Sequence, residues 1–160
     1  MAYTMKVDGM GELSKMLSTL GNAAQGVAAA SLFEGAGVMA DAVSQAVHGI
    51  ATEPFRYARD GQKRKPSPEE KAIIEAAPKG VAKFKKTGTS VDTSVGLANA
   101  GYGQLGSVTK PVPKIANAIN SGTSFMEKQP FFRKAVSKAR GNATDAIESG
   151  ILKRVEELAK

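Results

Sequence analysis

The stretch that decides the fold comprises residues 129–158, QPFFRKAVSKARGNATDAIESGILKRVEEL. Its apolar side chains recur every three or four residues without losing phase, which is the spacing of one face of an α-helix. They are Phe132, Val136, Ala139, Ala143, Ile147, Ile151, Val155 and Leu158. Gln129-Pro130 marks the start, because proline is favoured in the first turn of a helix. The spacing therefore predicts one long helix that continues across Gly141 and buries this stripe.

Two adjacent phenylalanines at the start of this helix are expected to behave differently. Phe132 belongs to the apolar stripe, so we expect its ring in the core of the subunit. Phe131 lies about 100° away around the helix, in line with Ala135 and the polar Lys138 and Asn142. Its ring is therefore expected to be only partly buried, or to enter an intersubunit or partner contact.

A second long helix is predicted from residue 22 to about residue 51. Asn22 is a good N-cap, and the apolar residues that follow keep a mostly three-to-four spacing. They are Val27, Leu32, Ala36, Met39, Val43, Val47 and Ile50. Four glycines, each costing about 1 kcal/mol relative to alanine in a helix interior, lie in this helix: Gly26, Gly35, Gly37 and Gly49. We expect the helix to need tertiary or intersubunit packing, in which small residues permit close approach.

Shorter elements complete the prediction of an α+β fold. Met5–Val7 is interpreted as a strand, and Leu13–Leu20 as a short helix. Residues 89–97, TSVDTSVGL, alternate and predict a strand whose buried face carries Val91, Thr93, Val95 and Leu97. The expected architecture is a short N-terminal helix, a long Ala/Gly-rich helix, a small antiparallel sheet and a long C-terminal helix. These elements form a single domain over residues 1–160.

Residues 54–86 form a basic loop and helix that depart from this simple plan. The first part, residues 54–66 (PFRYARDGQKRKP), has no periodicity and contains two prolines and a glycine, so we interpret it as an exposed basic loop. A helix start signal follows. Ser67-Pro68-Glu69-Glu70 offers an N-cap, a first-turn proline and a capping-box glutamate. The helix should run to about Ala77.

The net charge of +7 comes from two segments of the chain. Residues 54–86 and residues 110–140 each carry a net +6. Basic patches contact nucleic acid or acidic protein surfaces, while solvated loop lysines are an equally open interpretation. The candidate partner contacts are Lys63, Arg64, Lys65, Lys83, Lys85 and Lys86, together with Phe131.

The residue pattern argues against catalysis. The chain has no cysteine and one histidine, so it offers neither a thiol nucleophile nor the ligands of a zinc site. Residues 101–106, GYGQLG, match a dinucleotide-binding pattern, but two prolines in the following SVTKPVP prevent a long helix from opening there. We expect a mobile glycine loop instead. No nucleophile, base or metal constellation emerges, so we expect no enzymatic activity and no cofactor.

The sequence also bears on where the protein lies and whether it assembles. Asp8 and Glu12 interrupt the region where a signal peptide would need apolar residues, and no apolar run approaches the roughly 18 residues of a membrane span. We therefore expect a soluble, unexported protein without a membrane contact.

Aromatic residues make up 6% of the chain and 17 residues are glycine, so the core is expected to be thin. Self-association would add buried area.

We call residues 111–136, PVPKIANAINSGTSFMEKQPFFRKAV, the corner segment. Pro113 can open a short helix over Lys114–Asn120, and Gly122 allows a left-handed exit from it. Thr123 or Ser124 can bond back to local backbone groups. The segment should form a rigid corner that fixes the angle between the sheet and the C-terminal helix. A subunit needs such a fixed angle if its ring is to close with a defined rotation.

The corner segment resembles the signature of the phage tail-component family, the tail-completion or neck proteins of long-tailed phages of the Hong Kong ninety-seven type. That family shows a short apolar segment, a Gly-Thr-Ser turn, variable residues, and then Pro-Phe with an Arg-containing helix start. The matching positions are Ile119–Ser121, then Gly122, Thr123 and Ser124, then Gln129, Pro130, Phe131, Phe132, Arg133, Lys134 and Ala135. Lys6–Leu13 is similar to the N-terminal part of the family's sequences, which open with a strand followed by Gly and Leu. Residues 54–86 depart from the family's form.

The resemblance implies a structural virion protein of a tailed bacteriophage. Such a protein would be a neck or tail-completion subunit, similar to a tail terminator, that forms a cyclic homo-oligomer at the head–tail junction. It would contact neighbouring neck and tail proteins, lie near phage DNA, and be made in the host cytoplasm. The alternative is a basic nucleic-acid-binding module, which would need its lysines and arginines on one face. Only Phe55, Tyr57 and Phe84 interleave with those charges for stacking.

Overall fold

The structure is a computed structural model that describes residues 2–5, 23–58, 61–77, 80–81, 83–87, 90–97 and 100–158. The fold is α+β, as predicted. In chain order the elements are β1 (Ala2–Met5), α1 (Ala23–His48), α2 (Pro68–Ala76), β2 (Gly80–Val81), β3 (Lys85–Thr87), β4 (Ser90–Gly96), β5 (Tyr102–Leu105), β6 (Val108–Pro111), α3 (Val112–Ser121) and α4 (Phe131–Leu158). The predicted helix Leu13–Leu20 and the N-cap Asn22 lie outside the described residues.

The two long helices pack against each other in antiparallel fashion, so the two strongest helix predictions are confirmed. The start of α1 contacts the end of α4: the Arg154 guanidinium donates to both Glu34 carboxylate oxygens, at 2.6 and 3.3 Å, and to Ser31 Oγ at 3.2 Å. The predicted α4 stripe is buried from Phe132 to Ile151, whereas Leu158 at the helix end is exposed. The buried part of the stripe therefore ends before the last turn.

Glycine in α1 allows the close approach that its composition predicts. A Cβ atom built on Gly35 would lie 2.8 Å from the Ala143 carbonyl oxygen and would also meet the Ile147 side chain. Both contacts belong to α4. By contrast, a Cβ on Gly37 would meet nothing within 4 Å. Only one of these two glycines is therefore required by the packing of the helices.

Strand β4 is the centre of the main sheet. It pairs with β1 on one side, with Ala2 opposite Gly96 and Met5 opposite Thr93. It also pairs antiparallel with β2 and β3. Its side chains alternate between buried and half-buried, which confirms the predicted strand with one buried face. Through that face, β4 packs against α1.

The glycine pattern at residues 101–106 forms a strand, so the prediction of a mobile loop is wrong there. β5 pairs with β6 in a hairpin whose register places Tyr102 opposite Pro111 and Leu105 opposite Val108. Gly106, with a φ of 56°, opens the two-residue turn. Gly103 is buried because Ile73 of α2 packs over it, where a side chain would collide.

The predicted signals for α2 are confirmed. Ser67 Oγ accepts from the Glu70 backbone N–H at 3.2 Å, and Glu70 Oε2 accepts from the Ser67 N–H at 2.8 Å. These two bonds form the capping box. Pro68 begins the helix, which ends one residue before Ala77.

Helix α1 also has the length and composition of a membrane span. An 18-residue window within Gln25–His48 has a mean hydropathy of 1.3, so the expectation that no apolar run approaches the length of a membrane span is wrong by this measure. The core helix of a globular domain meets the same criterion. In the structure, the buried face of α1 packs on α4 and β4.

The contrast between Gly35 and Gly37 gives a direct test of the helix packing. Gly37→Ala should leave stability unchanged or raise it by up to about 1 kcal/mol, because alanine favours the helix and the space is open. Gly35→Ala should lower stability by about 1 to 3 kcal/mol, because the added methyl group overpacks the contact with α4. Chemical denaturation followed by circular dichroism measures both. Equal effects at the two positions would contradict this packing.

Candidate interaction site

A buried ion pair anchors the basic segment that the sequence assigned to solvent. The Arg64 guanidinium donates two hydrogen bonds to the Glu70 carboxylate, both at 2.7 Å. The side chains are only 6% and 8% exposed. Such bidentate, charge-assisted pairs have a fixed geometry. The pair therefore holds residue 64 of the loop against the first turn of α2.

The same contacts control the charge of Glu70. Burial alone would raise the pKa of Glu70, but the hydrogen bond from Arg64, the Ser67 backbone N–H and the Arg64 charge together lower it below its ordinary value of 4.5. The carboxylate raises the pKa of Arg64 in turn, chiefly through the hydrogen bond. Both groups are therefore charged across the physiological range.

The prediction of an exposed loop over residues 54–66 is wrong at Arg64 and Pro66, which are buried. The guanidinium carbon of Arg64 lies 5.0 Å from the centroid of the Phe55 ring and 6.0 Å from that of Phe125. Aromatic faces attract the cation, and Glu70 neutralises it. Arg64 is therefore a structural residue and is not available to a partner.

The backbone of Arg64 joins the loop to the corner segment. Its N–H donates to the Phe125 carbonyl at 2.9 Å, and its carbonyl accepts from the Glu127 N–H at 2.8 Å. Residue 64 thus forms a parallel bridge with Met126. Through this bridge, the segment that departs from the resembled family is attached to the segment that carries the resemblance.

The turn after α3 has the construction that its residues predict. Gly122 has a φ of 75°, and a Cβ there would lie 3.0 Å from the Lys128 side chain. Thr123 Oγ1 accepts from the N–H groups of Phe125 and Met126, at 3.3 and 3.0 Å. Ser124 is exposed. The predicted bond back to the backbone is therefore confirmed at Thr123.

Two amide side chains complete the corner segment, and sequence reasoning assigned them no such role. Gln129 pairs with the backbone of Ala51, donating at 2.8 Å and accepting at 3.0 Å. Asn120 Oδ1 accepts from the backbone N–H of Phe132 at 3.1 Å. The two amides tie the start of α4 to the end of α1 and to α3. The corner is therefore hydrogen-bonded to its neighbours at both of its edges.

The two phenylalanines after Pro130 are both buried. Phe132 is fully buried, as predicted, whereas Phe131 is 7% exposed. The expectation that Phe131 is only partly buried is therefore wrong. Its ring packs edge-on against Phe132, with centroids 6.4 Å apart, and the end of α1 lies close to the first turn of α4. Arg133, the next residue, is exposed.

An open groove of about 680 Å³ lies between the end of α1 and the first half of α4. We call it the basic groove. Small or apolar residues that line it include Ala42, Ala46, Gly49, Phe131, Ala135 and Ala139. Three exposed lysines also line it: Lys128, Lys134 and Lys138. No Asp or Glu is among the described residues that line it. The charged side chains in its lining are therefore all basic.

The predicted partner contacts do not form one surface. Lys63 is exposed and Lys65 half-buried near the end of α1, where Glu53 accepts from the Lys65 N–H at 2.8 Å. Lys83 and Lys85 are exposed beside Phe84, whose ring packs on Phe33 of α1. From Phe33 to the end of α1 the helix rises roughly 22 Å. The side chain of the sixth candidate, Lys86 in β3, lies outside the described part of the chain.

The described residues contain no group of three or more acidic or histidine side chains arranged to hold a metal ion. The histidine, His48, is exposed at the end of α1, and its Nδ1 lies 2.9 Å from Glu75 Oε1.

Comparison with protein-family models, curated proteins and solved structures yields no match. The resemblance of the corner segment to the phage tail-component family stays a prediction.

The ion pair predicts a strong contrast between two adjacent glutamates. Glu70→Gln should lower the stability by about 3 kcal/mol, because it leaves the buried Arg64 charge without a counter-charge. Glu69→Gln removes an exposed charge in the same turn and should change stability by less than about 0.5 kcal/mol. Urea denaturation of both variants measures the difference. Similar values for the two would show that the pair contributes little.

The pKa of Glu70 predicts an acid dependence. Because the folded-state pKa lies below the unfolded value near 4.5, the stabilisation is present above that value and is lost as pH falls through the folded-state pKa. The free energy of unfolding should therefore fall as the pH drops below the unfolded value and through the lower folded-state pKa. The fall should be smaller in Glu70→Gln than in the wild type. An unchanged slope in the variant would contradict the assignment.

Proposed function

We propose that this protein is a structural virion protein of a tailed bacteriophage, a neck or tail-completion subunit that assembles as a ring at the head–tail junction. Its partners would be copies of itself and the neighbouring neck and tail proteins. Its place would be the virion, after synthesis in the host cytoplasm. It would act by shape and contact, without catalysis.

The observation that carries this proposal is the construction of the corner segment. Among the residues that resemble the family signature, Asn120 and Gln129 hydrogen-bond to the start of α4 and to the chain after α1, and Thr123 closes the turn between them. A subunit that repeats around an axis needs a fixed angle between its elements, because small errors accumulate around the ring. The buried Arg64–Glu70 pair adds a second constraint on the same segment.

The alternative function, a basic nucleic-acid-binding module, has one observation in its favour. Phe55 and Tyr57 are exposed, form an edge-on pair with centroids 5.3 Å apart, and lie in the same loop as the exposed Lys63. Stacking and charge together bind single strands. However, Arg64 is withdrawn from solvent, and Lys83 and Lys85 lie far from this loop. The charges thus do not follow one continuous path.

Assembly and DNA binding can be separated with the full-length protein. We expect mass photometry to show a species of several chains, and negative-stain images to show closed rings, alone or on a partner ring. We also expect weak, salt-sensitive association with duplex and single-stranded DNA in fluorescence anisotropy, without sequence preference.

Two outcomes would contradict the proposal. Tight, sequence-selective DNA binding by a single chain at physiological salt would support the alternative module. A well-folded single chain that is also absent, by mass spectrometry, from phage particles made by a strain carrying the gene would end the virion proposal.

A further inference from the structure

The two halves of α4 carry opposite charges. Residues 131–144 contain four basic side chains and no acidic one, whereas residues 145–158 contain four acidic and two basic ones. A helix dipole favours acidic residues at the N-terminus and basic residues at the C-terminus. The charges of α4 are arranged the opposite way. The electrostatics of the isolated helix therefore do not account for them.

The acidic half presents a defined surface, which we call the acidic stripe: Asp145, Glu148, Leu152 and Glu156. Their spacing of three, four and four residues places them within about 80° of one another around the helix. All four are exposed, and Leu152 is 65% exposed. In the described part of the chain, none of the three carboxylates has an ion-pair partner. A large apolar side chain thus lies exposed among unpaired carboxylates.

The basic groove has the complementary chemistry. Lys128, Lys134 and Lys138 line it, and within the described ranges none of these lysines has an ion-pair partner either. The small alanine side chains and the absence of a side chain at Gly49 leave room between α1 and α4 for an apolar group such as leucine. Charge complementarity selects and orients partners of this kind.

A single chain cannot bring these two surfaces together. Lys134 and Leu152 lie on the same continuous helix, eighteen residues apart, which corresponds to about 27 Å along its axis. Only another molecule can place an acidic stripe against the groove. A second copy of this chain always carries one.

We infer that the acidic stripe of one copy docks in the basic groove of the next, with Leu152 entering between α1 and α4 and the carboxylates meeting the three lysines. This assignment rests on the proposed function, since it names the surfaces through which the ring would form. If the contact is not reciprocal between the same two copies, it leaves a free groove at one end of a chain of subunits and a free stripe at the other. Such a chain can close into a ring.

Charge reversal of each surface tests the docking. The groove variant combines Lys134→Glu with Lys138→Glu, and the stripe variant combines Asp145→Lys with Glu148→Lys. A control with the same charge change as the groove variant combines Lys110→Glu with Lys114→Glu, both exposed and outside the groove. Circular dichroism establishes that each variant folds, and mass photometry at low salt gives the mass of each species. A mixture of the groove and stripe variants is measured in the same way.

We expect the wild type and the control to share one assembled mass, and each reversed variant alone to appear as a single chain. The mixture should assemble from alternating copies of the two variants, because each reversed groove then meets a reversed stripe and each native groove meets a native stripe. Leu152→Ala should fold normally and dissociate at a several-fold higher concentration than the wild type.

The docking and the proposed function fail in different ways. If the wild type assembles but the reversed variants keep its mass, or their mixture stays as single chains, the docking is wrong and the ring proposal stands. If the mixture recovers an assembly of only two chains, the docking stands and the ring proposal is wrong. A wild type that remains a single chain at every concentration overturns both.

Discussion

The close packing of α1 against α4 is the constraint on which the rest of the structure depends. At one end Arg154 binds Glu34, and at the other Gln129 pairs with the backbone of Ala51. Between these ends, Gly35 lets α4 approach without a side chain in the way. An Ala/Gly-rich helix buries little area by itself, so α1 depends on this contact. The sheet then packs on α1 through β4, and the groove exists because the facing residues of both helices are small.

The Arg64–Glu70 pair has a different task, which is to attach the basic segment to the corner. A buried ion pair adds little net stability over an apolar core, but removing one partner is costly. The loss of either partner should therefore destabilise the position of the loop. Since Arg64 also bridges to Met126 through its backbone, the loop, the first turn of α2 and the turn before α4 hold one arrangement. The angle at which α4 leaves the corner depends on all three.

The sequence predicted the elements whose signals are local and repeated. The α4 stripe, the capping box at Ser67 and the alternation of β4 each follow from spacing. It did not predict features that depend on distant partners. Arg64 lies in an aperiodic, lysine-rich stretch. Its burial could not be predicted without knowing that the fold places Glu70 beside it. The pattern around Gly103 is typical of a glycine loop. The sequence does not show that Ile73 packs over this residue. Phe131 was assigned from helix phase alone, which ignores the end of α1 beside the first turn. The groove arises between two helices and has no sequence signal.

The protein has two complementary surfaces on one helix, and we propose that its copies join end to end through them. The natural chain has no cysteine, so disulfide crosslinking can test this directly. Lys138→Cys and Leu152→Cys are placed in one chain and oxidised in dilute solution, and the products are separated by non-reducing electrophoresis. End-to-end joining predicts a ladder of covalent oligomers that ends at the size of the ring and is absent from each single-cysteine variant. Products no larger than one chain, at concentrations where the protein is assembled, would contradict it.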